Sequence, residues 1–149
     1  MSPSDSAGER TQLVVFALGN EEYAITIGEV QEIIRFVEPR SVSSDAEWIL
    51  GVISLRGRII PVCDLAKRLG VARGEARAAK IIVVESAAHT VGLVVDDVTE
   101  VLTVDESEIE TLHVAGSRGA HAIAKVADRL IVLLASDSIF DGAELADAV

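Results

Sequence analysis

The amino-acid sequence predicts an all-β fold with minor helices, arranged as two similar barrels that share an apolar interface. Half of the 149 residues are hydrophobic but only 3% are aromatic, so the core must be aliphatic. The apolar residues occur in short runs that are rich in β-branched side chains and separated by turn residues, which is typical of strands. The chain also aligns with itself over two stretches, which indicates an internal repeat.

The strands follow from the apolar runs in chain order. Residues 1–11 carry Ser, Pro, Gly and charged side chains and lack apolar periodicity, so they predict a disordered N-terminal tail. Eight strands are expected, at Leu13–Leu18, Tyr23–Ile27, Ile49–Leu55, Arg58–Cys63, Lys80–Glu85, Thr90–Val95, Ala122–Val126 and Leu130–Leu134. The segments 19–21, 56–57 and 127–128 can close hairpins between neighbouring strands. Gly57 can supply the positive φ that such a turn requires.

Helices are expected at three places only. Gly28–Arg35 and Asp64–Gly70 each have the length of two turns. The second of these opens on an aspartate suited to N-capping and closes on a glycine suited to a helix stop. The C-terminal part, residues 136–149, predicts a short amphipathic helix, with 141–149 lying beyond the folded domain as a tail or short helix.

The internal repeat divides the folded region. Leu13–Ile33 aligns without a gap on Ile81–Val101 at an offset of 68, and a second stretch, 51–62, aligns on 122–133 at an offset of 71. The folded region, 12–140, is therefore expected to consist of two barrel halves, about 12–79 and 80–140. Units this small bury too little of their surface to be stable alone, so the halves should pack on each other.

Composition excludes several classes of partner and location. The formal net charge of −11 has the wrong sign for binding nucleic acid or an anionic membrane surface. The single cysteine, Cys63, cannot form an intramolecular disulfide, which fits a reducing cytosol. No apolar run approaches the roughly 20 residues of a membrane span, and the N-terminus lacks the apolar segment of a signal peptide. We therefore expect a cytoplasmic protein without membrane insertion.

A search for catalytic or ligand-binding motifs favours a protein without enzymatic activity, cofactor or metal. The three histidines, His89, His113 and His121, lack metal-ligand spacing. Cys63 lies in an apolar run, where a thiol behaves as a small buried hydrophobe. The glycines of 114–121 match neither a phosphate-binding loop nor a dinucleotide fingerprint, so this segment predicts a mobile loop.

Charge is distributed unevenly along the chain, and one arginine stands out. Residues 56–80 carry seven basic against two acidic side chains, whereas the acidic segment 96–110 is expected to be a solvated face. Arg56 occupies the tip of a predicted hairpin, where the repeat has Ala127. The fold therefore does not require an arginine there. Its guanidinium suits a bidentate contact with a carboxylate of a partner, the alternative being an ordinary solvated arginine.

Two motifs together make a family recognisable. The segment GVISLRGRIIPVCDL, 51–65, and the segment GLVVDDVTEV, 92–101, resemble the CheW family of bacterial chemotaxis coupling proteins, and the resemblance extends over about 12–140. It implies two five-stranded β-barrels of the Src-homology-3-like type on a shared apolar interface. It also implies a non-catalytic cytoplasmic adaptor that binds the tips of chemoreceptors and the regulatory domain of the histidine kinase CheA.

The resemblance implies four protein-binding residues. Val30 and Glu32 match the V-x-E-I stretch of the family, and Arg56 with Gly57 matches its L-R-G turn. For Glu32 the alternative is a solvated position, and for Val30 it is a core position, because its repeat equivalent is also a valine.

Departures from the family pattern leave the signalling pathway open. Ser54 stands where the family usually has Asn, Ser43 and Ala46 lie where it has Pro, and Ala135 replaces a common Asp. An adaptor of a twitching or developmental pathway is one alternative. A small-molecule-binding β-barrel protein is a weaker one, because convergent His, Asp and Ser residues are scarce.

Overall fold

A computed structural model describes residues 9–74, 79–86, 89–112 and 119–139. The strands are β1 (Arg10–Leu18), β2 (Glu21–Thr26), β3 (Val30–Arg35), β4 (Ile49–Leu55), β5 (Arg58–Asp64), β6 (Lys80–Ser86), β7 (His89–Val95), β8 (Asp97–Asp105), β9 (Ile109–Thr111), β10 (Ala120–Val126) and β11 (Arg129–Leu134). The helices are α1 (Leu65–Leu69), α2 (Ser136–Ile139) and two 3-10 turns, Ile27–Glu29 and Glu106–Glu108. All eight strands expected from the sequence are confirmed, most of them slightly longer than expected, whereas the strand expected to end at Ile27 ends at Thr26.

The helix expected over 64–70 is also confirmed, with the expected caps. Asp64 Oδ1 accepts a hydrogen bond from the amide of Lys67 at 3.2 Å, and Gly70 adopts a left-handed φ of 76°. Both groups satisfy backbone atoms that a helix end leaves unpaired.

The helix expected over Gly28–Arg35 is wrong. Only Ile27–Glu29 forms a 3-10 turn, and the rest is strand β3, which pairs with β6 in antiparallel register. The pairing supplies backbone hydrogen bonds that the local sequence could not reveal, and β-branched residues fit the strand well. Likewise, the acidic segment 96–110 forms β8 and the first two residues of β9, where the sequence predicts only a solvated acidic face. Of the tail, residues 136–139 are helical, whereas 140–149 and most of the glycine-containing loop, 113–118, lie outside the described residues.

The strands form two sheets that we call sheet A and sheet B. Sheet A has the order β8-β1-β2-β11-β10-β9, and sheet B has the order β3-β6-β7-β5-β4. The expected five strands are therefore found in sheet B, whereas sheet A has six, and neither sheet is closed into a full barrel by strand pairing. All pairs are antiparallel except β2 with β11 and β5 with β7. Each sheet combines the first hairpin of one repeat with later strands of the other. The expected boundary near residue 79 therefore does not coincide with the division between the sheets.

The apolar residues form three clusters, and the repeat relates them. One cluster, the inter-sheet core, packs Phe16, Leu18, Tyr23 and Ile25 of sheet A against Ile82, Val84, Val91, Leu93 and Val95 of sheet B. The other two clusters each belong to one sheet. They contain equivalent residues, such as Leu13 and Val15 in sheet A and Ile81 and Val83 in sheet B. The shared apolar interface predicted from the repeat is thus confirmed.

Candidate functional site

The tip of the β4–β5 hairpin presents Arg56 to solvent. Arg56 and Gly57 both have positive φ angles, 52° and 80°. Two successive residues with positive φ fit the tight turn whose twist matches that of antiparallel strands. Ala127, the repeat equivalent of Arg56, has a φ of 55°, so the left-handed conformation belongs to the repeated turn and does not depend on the arginine.

Arg56 forms a two-pronged ion pair with Glu32. Its Nε donates to Glu32 Oε2 at 2.9 Å and its Nη2 donates to Oε1 at 3.0 Å. The hydrogen bonds from Arg56 lower the pKa of the Glu32 carboxyl, and the carboxylate in turn raises the pKa of the arginine. The Glu32 side chain is 25% exposed and that of Arg56 is 74% exposed. The pair therefore lies at the surface, where a partner could reach the guanidinium.

The ion pair joins the two edges of sheet B. Glu32 lies on β3 and Arg56 follows β4, and these strands occupy opposite ends of the sheet order. The two edges can meet only because the sheet curves strongly, as expected of a barrel-like unit. Ile34, two residues further along β3 and so on the same face of the strand as Glu32, packs against the sheet B core. The pair thus covers one rim of that core.

The structure brings together three of the four residues proposed from the sequence. Glu32, Arg56 and Gly57 lie at one rim of sheet B, whereas Val30 is half-buried against the inter-sheet core and pairs with Val84. The sequence predicts a contact of Arg56 with a carboxylate of a partner, whereas the carboxylate that Arg56 binds within the chain is that of Glu32.

The repeat contains a second charged cluster at the corresponding place in sheet A. Arg129 Nη2 donates to Glu100 Oε2 at 2.6 Å and to Glu22 Oε2 at 2.8 Å, and its Nε donates to Glu22 Oε1 at 3.0 Å. Glu100 is the repeat equivalent of Glu32. The bond to Arg129 lowers the pKa of Glu22, as expected for a carboxylate beside a guanidinium.

Sheet B uses the equivalent positions differently. Arg58, the equivalent of Arg129, donates to the hydroxyl of Thr90 at 2.9 Å. Thr90 replaces a glutamate at that repeat position, and Glu32 is bound by Arg56 instead. Arg56 is therefore an addition to the repeated pattern, which supports a role at the surface beyond building the fold.

Exposed aliphatic side chains accompany both charged clusters. Ile33 and Ile59 of sheet B are 39% and 56% exposed, and their repeat equivalents in sheet A, Val101 and Leu130, are 51% and 63% exposed. Each directly follows a charged residue described above. These neighbouring pairs are Glu32 and Ile33, Arg58 and Ile59, Glu100 and Val101, and Arg129 and Leu130. Exposed apolar side chains beside charged ones are typical of protein–protein interfaces.

Two further groups bear on the chemistry of the chain. Burial raises the pKa of the Cys63 thiol, which is only 1% exposed. A thiol that stays protonated is a poor nucleophile. Within the described residues, no three His, Cys, Asp or Glu side chains converge in a way that could hold a metal ion. None of the described helices has the length and apolar character needed to cross a membrane.

Comparison with known proteins gives matches over nearly the whole chain. Residues 12–144 match the family model of the CheW-like domain. Chemotaxis protein CheW of Bacillus subtilis is 32% identical over 146 residues, which is 95% of this chain and 92% of that protein. The probable chemotaxis protein CheW of Rhizobium etli is 32% identical over 142 residues, covering 92% and 91% of the two chains. The crystal structure of scaffolding protein TtCheW from Thermoanaerobacter tengcongensis superposes with a TM-score of 0.79 and 38% identity, over 85% of this chain and 89% of that one.

Proposed function

The chain belongs to the CheW-like domain family and is a chemotaxis coupling adaptor, and from this premise we propose that it joins chemoreceptor tips to the kinase CheA. On this proposal it acts in the cytoplasm, without catalysis and without a cofactor. The relatives that match over about nine-tenths of their own length are chemotaxis proteins, which favours a chemotaxis pathway over a twitching or developmental one.

The observation that carries the proposed site is the Glu32–Arg56 ion pair at the rim of sheet B. Glu32 favours one orientation of the guanidinium, so less side-chain entropy is lost when a partner binds than for an unpaired arginine. Two of the five guanidinium N–H groups bond Glu32, and the others can donate to a carboxylate or carbonyl of a partner. Ile33 and Ile59 supply apolar contact area nearby.

We assign Glu32, Arg56 and Gly57 to partner binding through this geometry. Gly57 allows the hairpin tip to adopt its left-handed conformation and presents no side chain that could keep a partner away from Arg56. Val30, the first residue of β3, packs against the inter-sheet core. We therefore assign it the role of positioning β3, which carries Glu32.

The proposal is tested by substituting Arg56 and measuring binding and stability separately. Exposed ion pairs contribute little to stability, so Arg56→Ala should shift the melting temperature by less than about 3 °C. Loss of a charged interface contact should weaken binding to the receptor tip or to the CheA regulatory domain by about 30-fold or more. Arg56→Lys should recover little of it, because an ammonium lacks the planar fork.

A matched control is Arg10→Ala, which removes an arginine of similar exposure that pairs with Asp105 in sheet A. This variant should bind both partners as the parent does. If Arg56→Ala binds both partners normally, Arg56 is not part of the docking surface. If it unfolds, its role is structural.

A further inference from the structure

The described chain passes between the two sheets at two points, and both carry a carboxylate. The first passage, Ile27–Glu29, connects β2 of sheet A to β3 of sheet B, and the second, Asp96, connects β7 of sheet B to β8 of sheet A. The repeat aligns Ile27–Glu29 with residues 95–97, so the two passages are equivalent, although Glu29 itself aligns with Asp97 and Asp96 aligns with Gly28. Neither Glu29 nor Asp96 takes part in the docking surface proposed above.

At the first passage, Glu29 binds the C-terminal helix. A single oxygen, Glu29 Oε1, accepts hydrogen bonds from the amide of Ser136 at 2.9 Å and from its hydroxyl at 2.5 Å. The same hydroxyl lies 3.1 Å from the carbonyl oxygen of Glu85 in sheet B. Ser136 is only 2% exposed and lies two residues after the end of β11, the last strand of sheet A along the chain. These contacts hold the end of sheet A against sheet B.

Arg68 joins the same C-terminal helix to α1, the helix that follows β5 of sheet B. Its Nε donates to the carbonyl oxygen of Ile139 at 2.8 Å, and Arg68 belongs to α1, which follows β5. Ile139 is fully buried in the inter-sheet core. The C-terminal helix is therefore fixed at both of its ends.

At the second passage, Asp96 binds one segment connected to sheet A and one segment connected to sheet B. Its Oδ2 accepts hydrogen bonds from the amide of Gly19, in the β1–β2 turn of sheet A, and from the amide of Gly74, in the segment after α1, both at 2.7 Å. Asp96 is 6% exposed, and its Oδ1 is the buried side-chain oxygen or nitrogen that lacks a hydrogen-bond partner in the described part of the chain. Arg73 Nε lies 3.7 Å from that oxygen.

The two glycines allow the close approach on which this contact depends. A Cβ at Gly19 would lie 2.6 Å from the carbonyl oxygen of Ala72, and a Cβ at Gly74 would lie 2.9 Å from Asp96 Oδ2. Gly19 also has a φ of 61°. Larger residues would separate the β1–β2 turn from the segment after α1, so the sequence at these positions serves the contact between the sheets.

We propose that Glu29 and Asp96 are a pair of latches that fix the orientation of sheet A relative to sheet B. Each latch uses one carboxylate oxygen to accept two hydrogen bonds: Glu29 Oε1 accepts both from Ser136, and Asp96 Oδ2 accepts one from Gly19 and one from Gly74. The apolar inter-sheet core resists separation but is not directional, whereas hydrogen bonds fix an orientation. The exposed side chains of Ile33 and Ile59 lie on sheet B, and those of Val101 and Leu130 lie on sheet A. The latches therefore also fix the relative orientation of these two apolar surfaces. The importance of that orientation for partner binding rests on the proposed function.

The test measures the distance between the sheets with a pair of spin labels. Ser54 in sheet B and Thr103 in sheet A are exposed strand positions and can be replaced by labelled cysteines. The native Cys63 is buried and should not take a label. In the full-length chain, the double substitution Glu29→Ala and Asp96→Ala should widen the distance distribution about twofold, as expected for a released hinge or shear motion. Circular dichroism of the strands should stay unchanged.

Two comparisons separate a latch from general destabilisation. Glu110→Ala removes a carboxylate that binds Lys125 within sheet A, and it should leave the distribution as narrow as in the parent. Glu29→Gln with Asp96→Asn keeps one accepting oxygen at each latch, so the distribution should remain close to that of the parent. Val104→Ala leaves a cavity in the core of sheet A and touches neither latch, so it should lower the melting temperature yet leave the distribution as narrow as in the parent.

The proposal is overturned if the double alanine variant gives the parent distribution, or if the amide variant is as broad as the alanine variant. Should the double variant fail to fold, Glu29→Ala and Asp96→Ala are measured singly, and parent-like distributions in both would also overturn it. Partner binding is not needed for this measurement. Failure of the latches is therefore distinguishable from failure of the proposed docking surface.

Discussion

Truncation of Phe16 should destabilise the whole molecule, because its side chain belongs to the inter-sheet core. Phe16 is fully buried, and its ring lies 6.1 Å from that of Tyr23 at an interplanar angle of 19°. Replacement of a buried Phe by Ala loses transfer free energy and leaves a cavity, at a cost of about 3–5 kcal/mol. Since domains unfold with only about 5–15 kcal/mol, Phe16→Ala should lower the melting temperature by roughly 6–20 °C.

Calorimetry of purified variants gives the measurement, with two comparison substitutions. Val84 is the repeat equivalent of Phe16 and is fully buried in the same core, so Val84→Ala should cost about 2 kcal/mol. Val101, at 51% exposure, is the control, and Val101→Ala should change the free energy of unfolding by no more than about 0.5 kcal/mol. All three variants should melt in one transition, because both sheets share this core.

Two results would refute the reasoning. A Phe16→Ala variant within about 1 kcal/mol of the parent would show that this ring does not fill the shared core. Two separate transitions in the parent would show that sheets A and B unfold independently.

Three further predictions concern the fold and its buried groups. Fragments 1–79 and 80–149 should each be unfolded alone and should fold when mixed, as followed by circular dichroism, because each sheet needs strands from both; a fragment that melts cooperatively by itself would contradict this. Cys63 should resist a thiol reagent at pH 8 in the native protein and react in urea, because burial raises its pKa. Burial also raises the pKa of Tyr23, so above about pH 10 the unfolded chain loses a proton that the folded chain retains. Stability should therefore fall as pH rises past 10, and Tyr23→Phe should reduce that fall in thermal melts.

Most of the fold could be predicted because its signals are local. Apolar runs and turn residues located eight strands, and a capping aspartate with a terminal glycine located α1. β3 was mistaken for a helix because a six-residue segment shows too little periodicity to separate the two structures, and its partner β6 lies far away in sequence. β8 is an edge strand in which more exposed residues alternate with less exposed ones. Its acidic side chains make this alternation hard to recognise in the sequence.

The candidate site was predicted residue by residue but not as an arrangement. Arg56 stands out from the sequence because the equivalent position of the repeat, 127, is an alanine. The family resemblance adds Glu32. The sequence could not show that the two side chains bind each other, because they lie at opposite ends of the order of sheet B. Only the curvature of the sheet brings those edges within hydrogen-bonding distance.

The sequence by itself determined the β-rich class, the aliphatic core, the repeat and the family resemblance, because all of these are carried by residue types and short spacings. Tertiary structure decided how the repeats combine. The first hairpin of each pairs with strands of the other, and the carboxylates of Glu29 and Asp96 bind at the two passages between the sheets. These features depend on contacts between residues far apart in sequence. A repeat pattern is equally compatible with hairpins that stay within their own half or exchange, and long-range packing alone selects between the two.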